Sequence, residues 1–125
     1  MSPRHNIQVS VETEFLADQS DPDSQRWVFA YHLTIRNEGT VSAPLLTRHW
    51  VITDGEDRVQ EVHGEGVIGE QPHIAPGQTF SYTSGAILET EVGSMRGSYQ
   101  MIGEDGTHFD AEIPMFTLAV PHALH

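Results

Sequence analysis

Hydrophobic and polar residues alternate along much of this chain. In the segment IQVSVETEF, Ile7, Val9 and Val11 alternate with polar residues, and RWVFAYHLTIRN continues the same pattern. A period of two places alternate side chains on opposite faces of a β-strand. The sequence therefore predicts two half-buried strands, joined by the polar, Pro-containing loop ADQSDPDSQ. The apolar face of the second strand comprises Trp27, Phe29, Tyr31, Leu33 and Ile35.

Turn residues divide the rest of the chain into further strands. LLTRHWVITDGEDRVQEV is predicted to form a hairpin that turns at Asp54-Gly55, and RGSYQMIGEDGTHFDAEIPMFTLAV a hairpin that turns at Asp105-Gly106. Pro114, inside the last strand, predicts a bulge or an edge position. RNEGTVSAP is interpreted as a turn followed by an interruption at Pro44, and PGQTFSYTSG as a Pro-Gly turn followed by a strand.

These elements predict an all-β protein, because no window has the period of an amphipathic helix. Seven or eight short strands separated by Gly, Pro, Asn and Asp favour an antiparallel β-sandwich of fibronectin III or immunoglobulin type, with a small β-barrel as the alternative. At 125 residues the chain is expected to form one domain, residues 1–125. We expect its core to span about residues 7–120, followed by a loose tail after Pro121.

Composition narrows the classes of function. The chain has 18 acidic residues against 6 basic ones, a net charge of −12, which repels nucleic acid and anionic membrane surfaces. No apolar run approaches the roughly 20 residues of a membrane helix, so membrane insertion is not expected. There is no Cys, which excludes disulfides, thiolate nucleophiles and Cys-ligated zinc. The first residues lack the apolar core of a secretory signal, and we expect a cytoplasmic protein.

The stretch HGEGVIGEQP contains the pattern G-x-G-x-x-G at Gly64, Gly66 and Gly69. In dinucleotide-binding folds this pattern follows a buried strand and opens a helix that holds the pyrophosphate. Here Pro72 would break such a helix and two glutamates would repel phosphate, so the context argues against nucleotide binding. A tight crossover between sheets is the favoured interpretation, and an anion-binding nest of backbone N–H groups stays open.

The remaining candidate chemistry is weaker. Of the eight His residues, His63 and His73 flank the glycine stretch, but no pair has a recognised metal-ligand spacing, so metal ligands stay unassigned. His32 and His49 are predicted to lie on a solvent-facing or second face of their strands. Nothing marks a nucleophile elbow or an acid–base pair. We therefore expect no catalytic residues, no enzyme activity and no resident cofactor, with weak binding of Co²⁺ or Mg²⁺ left open.

Five ordered segments carry a family resemblance: RHWVITDG, GEGVIGEQP, PGQTFSYTSG, GSMRGSYQM and FDAEIPMFTL. Together they resemble the signature blocks of the ApaG family of bacterial proteins, also called CorD, over about Ile7 to Val120. A similar domain occurs in certain eukaryotic F-box proteins. Three features depart from the family pattern: Glu65 stands where Pro is common, Ala86 replaces a frequent Cys, and TVSAPLL predicts an irregular strand before Arg48.

The resemblance implies a fibronectin III/immunoglobulin-like β-sandwich without established enzyme activity. It also implies a genetic link to cobalt resistance and magnesium efflux, and proximity to diadenosine tetraphosphate metabolism. The leading hypothesis is a non-enzymatic module, monomeric or weakly dimeric, that binds an unidentified protein partner. The alternative is a sensor that binds a phosphate or pyrophosphate compound, or a divalent cation, at the glycine loop.

Both hypotheses use the same candidate residues. Gly64, Gly66 and Gly69 shape the loop, and the candidate flanking contacts are Arg48, Trp50, His63 and Glu70. Arg48 could instead pair with nearby acids, and Trp50 could instead belong to the core.

Overall fold

The computed structural model describes residues 4–122 and contains eight β-strands in that range, which agrees with the predicted seven or eight. Two short 3-10 turns, Ala17–Gln19 and Pro22–Ser24, form the polar loop after the first strand. The predicted loose tail after Pro121 falls largely outside the described residues. The strands are β1 (Ile7–Phe15), β2 (Trp27–Asn37), β3 (Ala43–Asp54), β4 (Val59–Glu65), β5 (His73–Ile74), β6 (Thr79–Leu88), β7 (Val92–Ile102) and β8 (His108–Ala119).

The strands form two antiparallel sheets packed as a sandwich, which confirms the predicted fold class. The first sheet has the order β1-β2-β6. The second has the order β4-β3-β7-β8, and the short β5 pairs with the start of β3. Within residues 4–122, no helix has the length and hydrophobicity that crossing a membrane would require.

The core lies between the sheets and follows from the period of two. Leu33 and Ile35 on β2 are fully buried, and they belong to one hydrophobic cluster with Tyr99 and Met101 of β7. Burying such side chains contributes roughly 1.5–3 kcal/mol each, so alternate positions of the central strands fix which face turns inward.

Two prolines and two register shifts test the strand predictions. Pro114 lies on the edge strand β8, opposite a register shift between Met95 and Gly97 of β7, so both the bulge and the edge position are confirmed. A register shift between Leu45 and Thr47 makes β3 irregular before Arg48, also as predicted. The interpretation of Pro44 was wrong. It does not interrupt the segment but is the second residue of β3, where pairing with the two-residue β5 tolerates a proline near a strand end.

The two lateral sides of the sandwich differ. On one side β1 of the first sheet packs beside β8 of the second. On the other side the edge strands β4 and β6 border a groove lined by residues from both strands. The candidate functional site lies on this open side.

Candidate functional site

A groove of about 430 Å³ runs between β4 and β6. Gln60 and Val62 of β4 form one wall, and the residues from Ser84 to Ile87 of β6 form the other. Its floor comes from the strands behind the edges: Tyr31, Arg48, Trp50, Ile52 and Met95. We call this surface the β4–β6 groove.

The groove continues at both ends. A depression of about 210 Å³ near the β3–β4 turn shares Ile52, Gln60 and Ile87 with it. A second depression, of about 280 Å³, shares the floor residues Arg48 and Trp50 and ends at the glycine loop. The β4–β6 groove therefore spans most of the open side.

Exposed hydrophobic residues concentrate along this groove. Among residues 4–122, four large hydrophobic side chains are strongly exposed: Val59 (62%), Ile68 (57%), Ile87 (55%) and Met115 (68%). The first three line the groove or its two end depressions, whereas Met115 lies on β8, which does not border it. Apolar side chains that stay exposed around a concave surface are typical of a site that contacts a partner.

Arg48 lies on the groove floor and joins β3 to the glycine loop. Its Nη1 donates hydrogen bonds to the carbonyl oxygens of Glu65, at 3.0 Å, and Gly66, at 2.9 Å. A Cβ at Gly64 would lie 2.6 Å from the guanidinium carbon, so glycine there makes room for this side chain. Arg48 thus binds two backbone carbonyl oxygens of the loop, rather than the acidic side chains of the alternative interpretation.

The other two glycines are explained by a tight turn. Val67 and Glu70 exchange backbone hydrogen bonds of 2.8 and 2.9 Å, and Ile68 and Gly69 between them have φ of +43° and +79°. Positive φ at both central residues is typical of a type I′ turn. Gly66, with φ +62°, also approaches the Glu70 carbonyl oxygen so closely that a Cβ would collide with it.

This turn leaves little of an anion-binding nest. The N–H groups of Gly66, Val67 and Glu70 donate to carbonyl oxygens of Leu46, Glu70 and Val67, respectively. A nest needs successive N–H groups that point at the ligand. These three N–H groups are therefore not free for an anion. The glycine pattern serves a tight turn, but the predicted crossover between sheets was wrong, because the loop joins β4 to β5 and both strands pair with β3 of the same sheet.

Ile68 is the unusual residue of the loop. A positive φ is an outlier for a β-branched side chain, because Cβ crowds the carbonyl oxygen that follows. The hydrogen bonds of the turn hold this conformation, and the side chain remains mostly exposed at the end of the groove. Backbone strain that a fold retains at its surface is a reason to suspect a functional contact.

Two tyrosines lie behind this end of the groove. The Tyr82 and Tyr99 hydroxyls are 2.7 Å apart and hydrogen bonded. Burial raises the pKa of Tyr82 to about 12, and burial together with the neighbouring phenols raises the pKa of Tyr99 as well. Both hydroxyls therefore stay protonated at neutral pH, and we interpret the pair as structural rather than as an acid–base pair.

The predicted flanking residues Trp50, Glu70 and His63 have different environments in the structure. Trp50 is 3% exposed and packs at ring-centroid distances of 5.4 Å from Tyr31 and 5.9 Å from Phe116, so it is a core residue whose surface forms part of the groove floor. Glu70 is exposed, and its backbone carbonyl closes the turn. His63 does not line the groove: it stacks on His49, beside Glu61.

The sequence pattern did not reveal that Val59, Ile68 and Ile87 are exposed at the groove, or that His49 and His63 form a pair. Glu61 and His63 are two apart, which places them on one strand face, but nothing in the sequence aligns them with His49. His73 instead lies beside Glu104, with 3.1 Å between His73 Nε2 and Glu104 Oε1. The flanking histidines His63 and His73 therefore have different partners.

Comparison with known proteins assigns the family. The model of the ApaG domain matches residues 17–103, more than half of the chain. The chain belongs to the ApaG domain family. This confirms the resemblance found in the five sequence blocks.

Relatives extend the match beyond the domain model. The Protein ApaG of Thiobacillus denitrificans is 62% identical over 122 residues, which cover 98% of this chain and 96% of the relative. The Protein ApaG of Pseudomonas aeruginosa strain LESB58 is 61% identical over 98% of this chain and 97% of its own length. A crystal structure of a Bordetella pertussis protein named ApaA is 49% identical and has a TM-score of 0.95, covering 98% of this chain and 99% of that one. The similarity of this ApaG-domain chain therefore includes β1 and most or all of β8, which lie outside the matched domain.

Proposed function

We propose that this ApaG-domain protein is a non-enzymatic binding module that holds an extended segment of a partner protein in the β4–β6 groove. The observation that carries the proposal is the concentration of exposed hydrophobic residues there, at Val59, Ile68 and Ile87. Such residues gain roughly 25 cal/mol for each Å² of apolar surface that a partner covers.

The strands that border the groove favour an extended partner. β4 and β6 are both edge strands of their sheets, and an edge offers backbone N–H and C=O groups for one more strand. Addition of a peptide strand supplies affinity through main-chain hydrogen bonds, while side-chain pockets supply specificity. The groove combines both features within one surface.

Charge indicates the chemistry of the partner segment. Glu65 lines the end of the groove near the glycine loop. Two carboxylates, Asp54 and Glu89, line the end near the β3–β4 turn, where both form ion pairs with Arg58. With a chain net charge of −12, these carboxylates favour a segment that carries basic residues beside its apolar ones.

The non-enzymatic part of the proposal is supported by Arg48 on the groove floor and by the two tyrosines behind the groove. The Arg48 guanidinium is engaged by two carbonyl oxygens, and the Tyr82 and Tyr99 hydroxyls are held protonated. We further propose a role in cobalt and magnesium homeostasis, which rests on the family resemblance alone. The phosphate-sensor alternative is less well supported, because three of the loop N–H groups, those of Gly66, Val67 and Glu70, already donate to carbonyl oxygens within the protein.

Capture of partners by surface variants tests the module. We would immobilise the wild-type chain and the variants Ile87→Ser and Met115→Ser, and compare the proteins retained from a bacterial lysate by quantitative mass spectrometry. The two variants remove exposed hydrophobic side chains of similar exposure, one at the groove and one on β8.

We expect a specific partner to be lost with Ile87→Ser and retained with Met115→Ser. Amide chemical shifts on adding that purified partner should then change along β4 and β6. Retention by both variants, or shifts confined to other strands, would contradict the proposal, provided that circular dichroism shows both variants folded.

A further inference from the structure

The outer face of the β3–β4 pair brings three metal-ligating side chains together. His49 lies directly opposite His63 in the strand register, and Glu61 precedes His63 by two residues on the same face of β4. One potential ligand atom from each residue lies within 4.8 Å of the others. The two imidazole rings stack with centroids 4.2 Å apart and an interplanar angle of 8°.

One ring nitrogen of this cluster lacks a protein partner. His49 Nε2 is buried and forms no hydrogen bond with any of residues 4–122. It lies 3.4 Å from Glu61 Oε1, close enough for an ion pair but without the alignment of a hydrogen bond. Buried polar atoms are nearly always paired, so this nitrogen is a second, independent indication that the site binds something.

We propose that His49, Glu61 and His63 form a binding site for a divalent transition-metal ion of the Zn²⁺ and Co²⁺ class. Two imidazoles and one carboxylate are ligands that such ions prefer, whereas Mg²⁺ and Ca²⁺ take oxygen ligands. Metal–ligand bonds of about 2.0–2.2 Å require the three groups to move closer together. Glu61 and His63 are exposed and can change rotamer to do so.

The surroundings leave room for further ligands. A depression of about 330 Å³ beside His63 is lined also by Thr47, Arg48, Glu65 and Gln100, and the Arg48 guanidinium is bound to two backbone carbonyl oxygens. Water could occupy the remaining coordination positions there, as it does in zinc sites with three protein ligands. Because Glu61 and His63 alternate with the groove residues Gln60 and Val62, this site lies on the opposite face of β4 and does not depend on the proposed function.

Metal titration of the untagged full chain tests the site. We would measure Zn²⁺ binding by calorimetry and Co²⁺ binding by visible absorption, for the wild type and the variants His63→Gln, Glu61→Gln and His49→Gln. His73→Gln is the matched control, because His73 is also an exposed histidine beside a glutamate.

We expect the wild type and the control to bind one ion with micromolar or tighter affinity, and each histidine variant of the cluster to bind at least about tenfold more weakly. Imidazole ¹H–¹⁵N spectra should show Zn²⁺-dependent shifts at His49 and His63. Absence of binding at millimolar metal overturns the proposal, as do unchanged affinity in His63→Gln or shifts confined to other histidines. Glu61→Gln keeps the test valid if His49→Gln fails to fold.

Discussion

Substitution of Ile68 tests whether the backbone strain at this residue lowers the stability of the fold, as expected if Ile68 is retained for contact with a partner. The substitution Ile68→Asn creates an Asn-Gly pair at the two central positions of the type I′ turn, the pair that this turn type favours. Asn tolerates the left-handed conformation, because its short side chain can hydrogen-bond locally. We expect the variant to be as stable as the wild type or more stable, although it removes a large hydrophobic residue.

The magnitude follows from two opposing contributions. A left-handed conformation costs an L-residue roughly 1–2 kcal/mol, and the cost for a β-branched residue such as Ile lies towards the upper end of that range. Ile68 is 57% exposed, so only part of the 1.5–3 kcal/mol for burying an Ile, about 1 kcal/mol, is lost on substitution. The balance predicts a change between zero and about 1 kcal/mol in favour of the variant.

Ile87→Asn is the matched control for this substitution. Ile87 is 55% exposed but lies in the extended backbone of β6, where Asn is disfavoured. It should lose about 1–2 kcal/mol, because no backbone strain is relieved there. Urea unfolding followed by tryptophan fluorescence measures both values, and each 1 kcal/mol corresponds to a melting-temperature shift of about 3–5 °C for a chain of this size.

A loss of stability in Ile68→Asn equal to that in Ile87→Asn would refute the reasoning, since it would mean that the Ile68 side chain is held by packing. If partner capture is also lost in Ile68→Asn while stability rises, the strain at this position serves contact with the partner.

Two further predictions concern the loop and the core. Gly66→Ala should cost more than about 2 kcal/mol in urea unfolding, because its left-handed backbone and its collision with the carbonyl across the turn add together, whereas Gly69→Ala, which has open space around it, should cost only about 1 kcal/mol. Equal losses would show that the close approach is not rigid. Tyr82→Phe and Tyr99→Phe should each cost about 1–3 kcal/mol by leaving one buried hydroxyl unpaired, and the double variant should cost less than their sum. Burial raises the pKa of Tyr82 to about 12 in the folded state, against about 10 when unfolded. The stabilisation that comes from keeping this hydroxyl protonated is therefore complete below pH 10 and is lost between pH 10 and 12. Urea midpoints should fall over that range in the wild type and less steeply in Tyr82→Phe, and parallel slopes would contradict the assignment.

The strands could be predicted because their signals are local. Alternation in β1 and β2 and the Asp-Gly turns of the two hairpins depend on neighbours within a few residues. Pro114 likewise revealed its edge position through its missing N–H donor. Pro44 was misinterpreted because a proline is tolerated near the start of a strand, and pairing with a strand as short as β5 leaves no sequence signal.

The site depended on contacts that no local pattern encodes. The glycine spacing was visible, but its explanation required the Arg48 side chain beside Gly64 and the carbonyl oxygen beside Gly66. Arg48 was a candidate, yet its acceptors proved to be backbone carbonyls rather than acids. The exposed positions of Ile68 and Ile87 could not be inferred, since an isoleucine in a predicted strand or loop is usually assigned to the core.

The sequence by itself determined the all-β class, the approximate location of most strands and the family, because periodicity, turn chemistry and ordered signature blocks are properties of contiguous residues. Tertiary structure alone decided which sides of the sandwich close and which stays open as the β4–β6 groove. It also decided that His49 meets His63, which are fourteen positions apart in the chain. Strand register sets both outcomes, and a shift of one residue would turn each of these side chains to the opposite face.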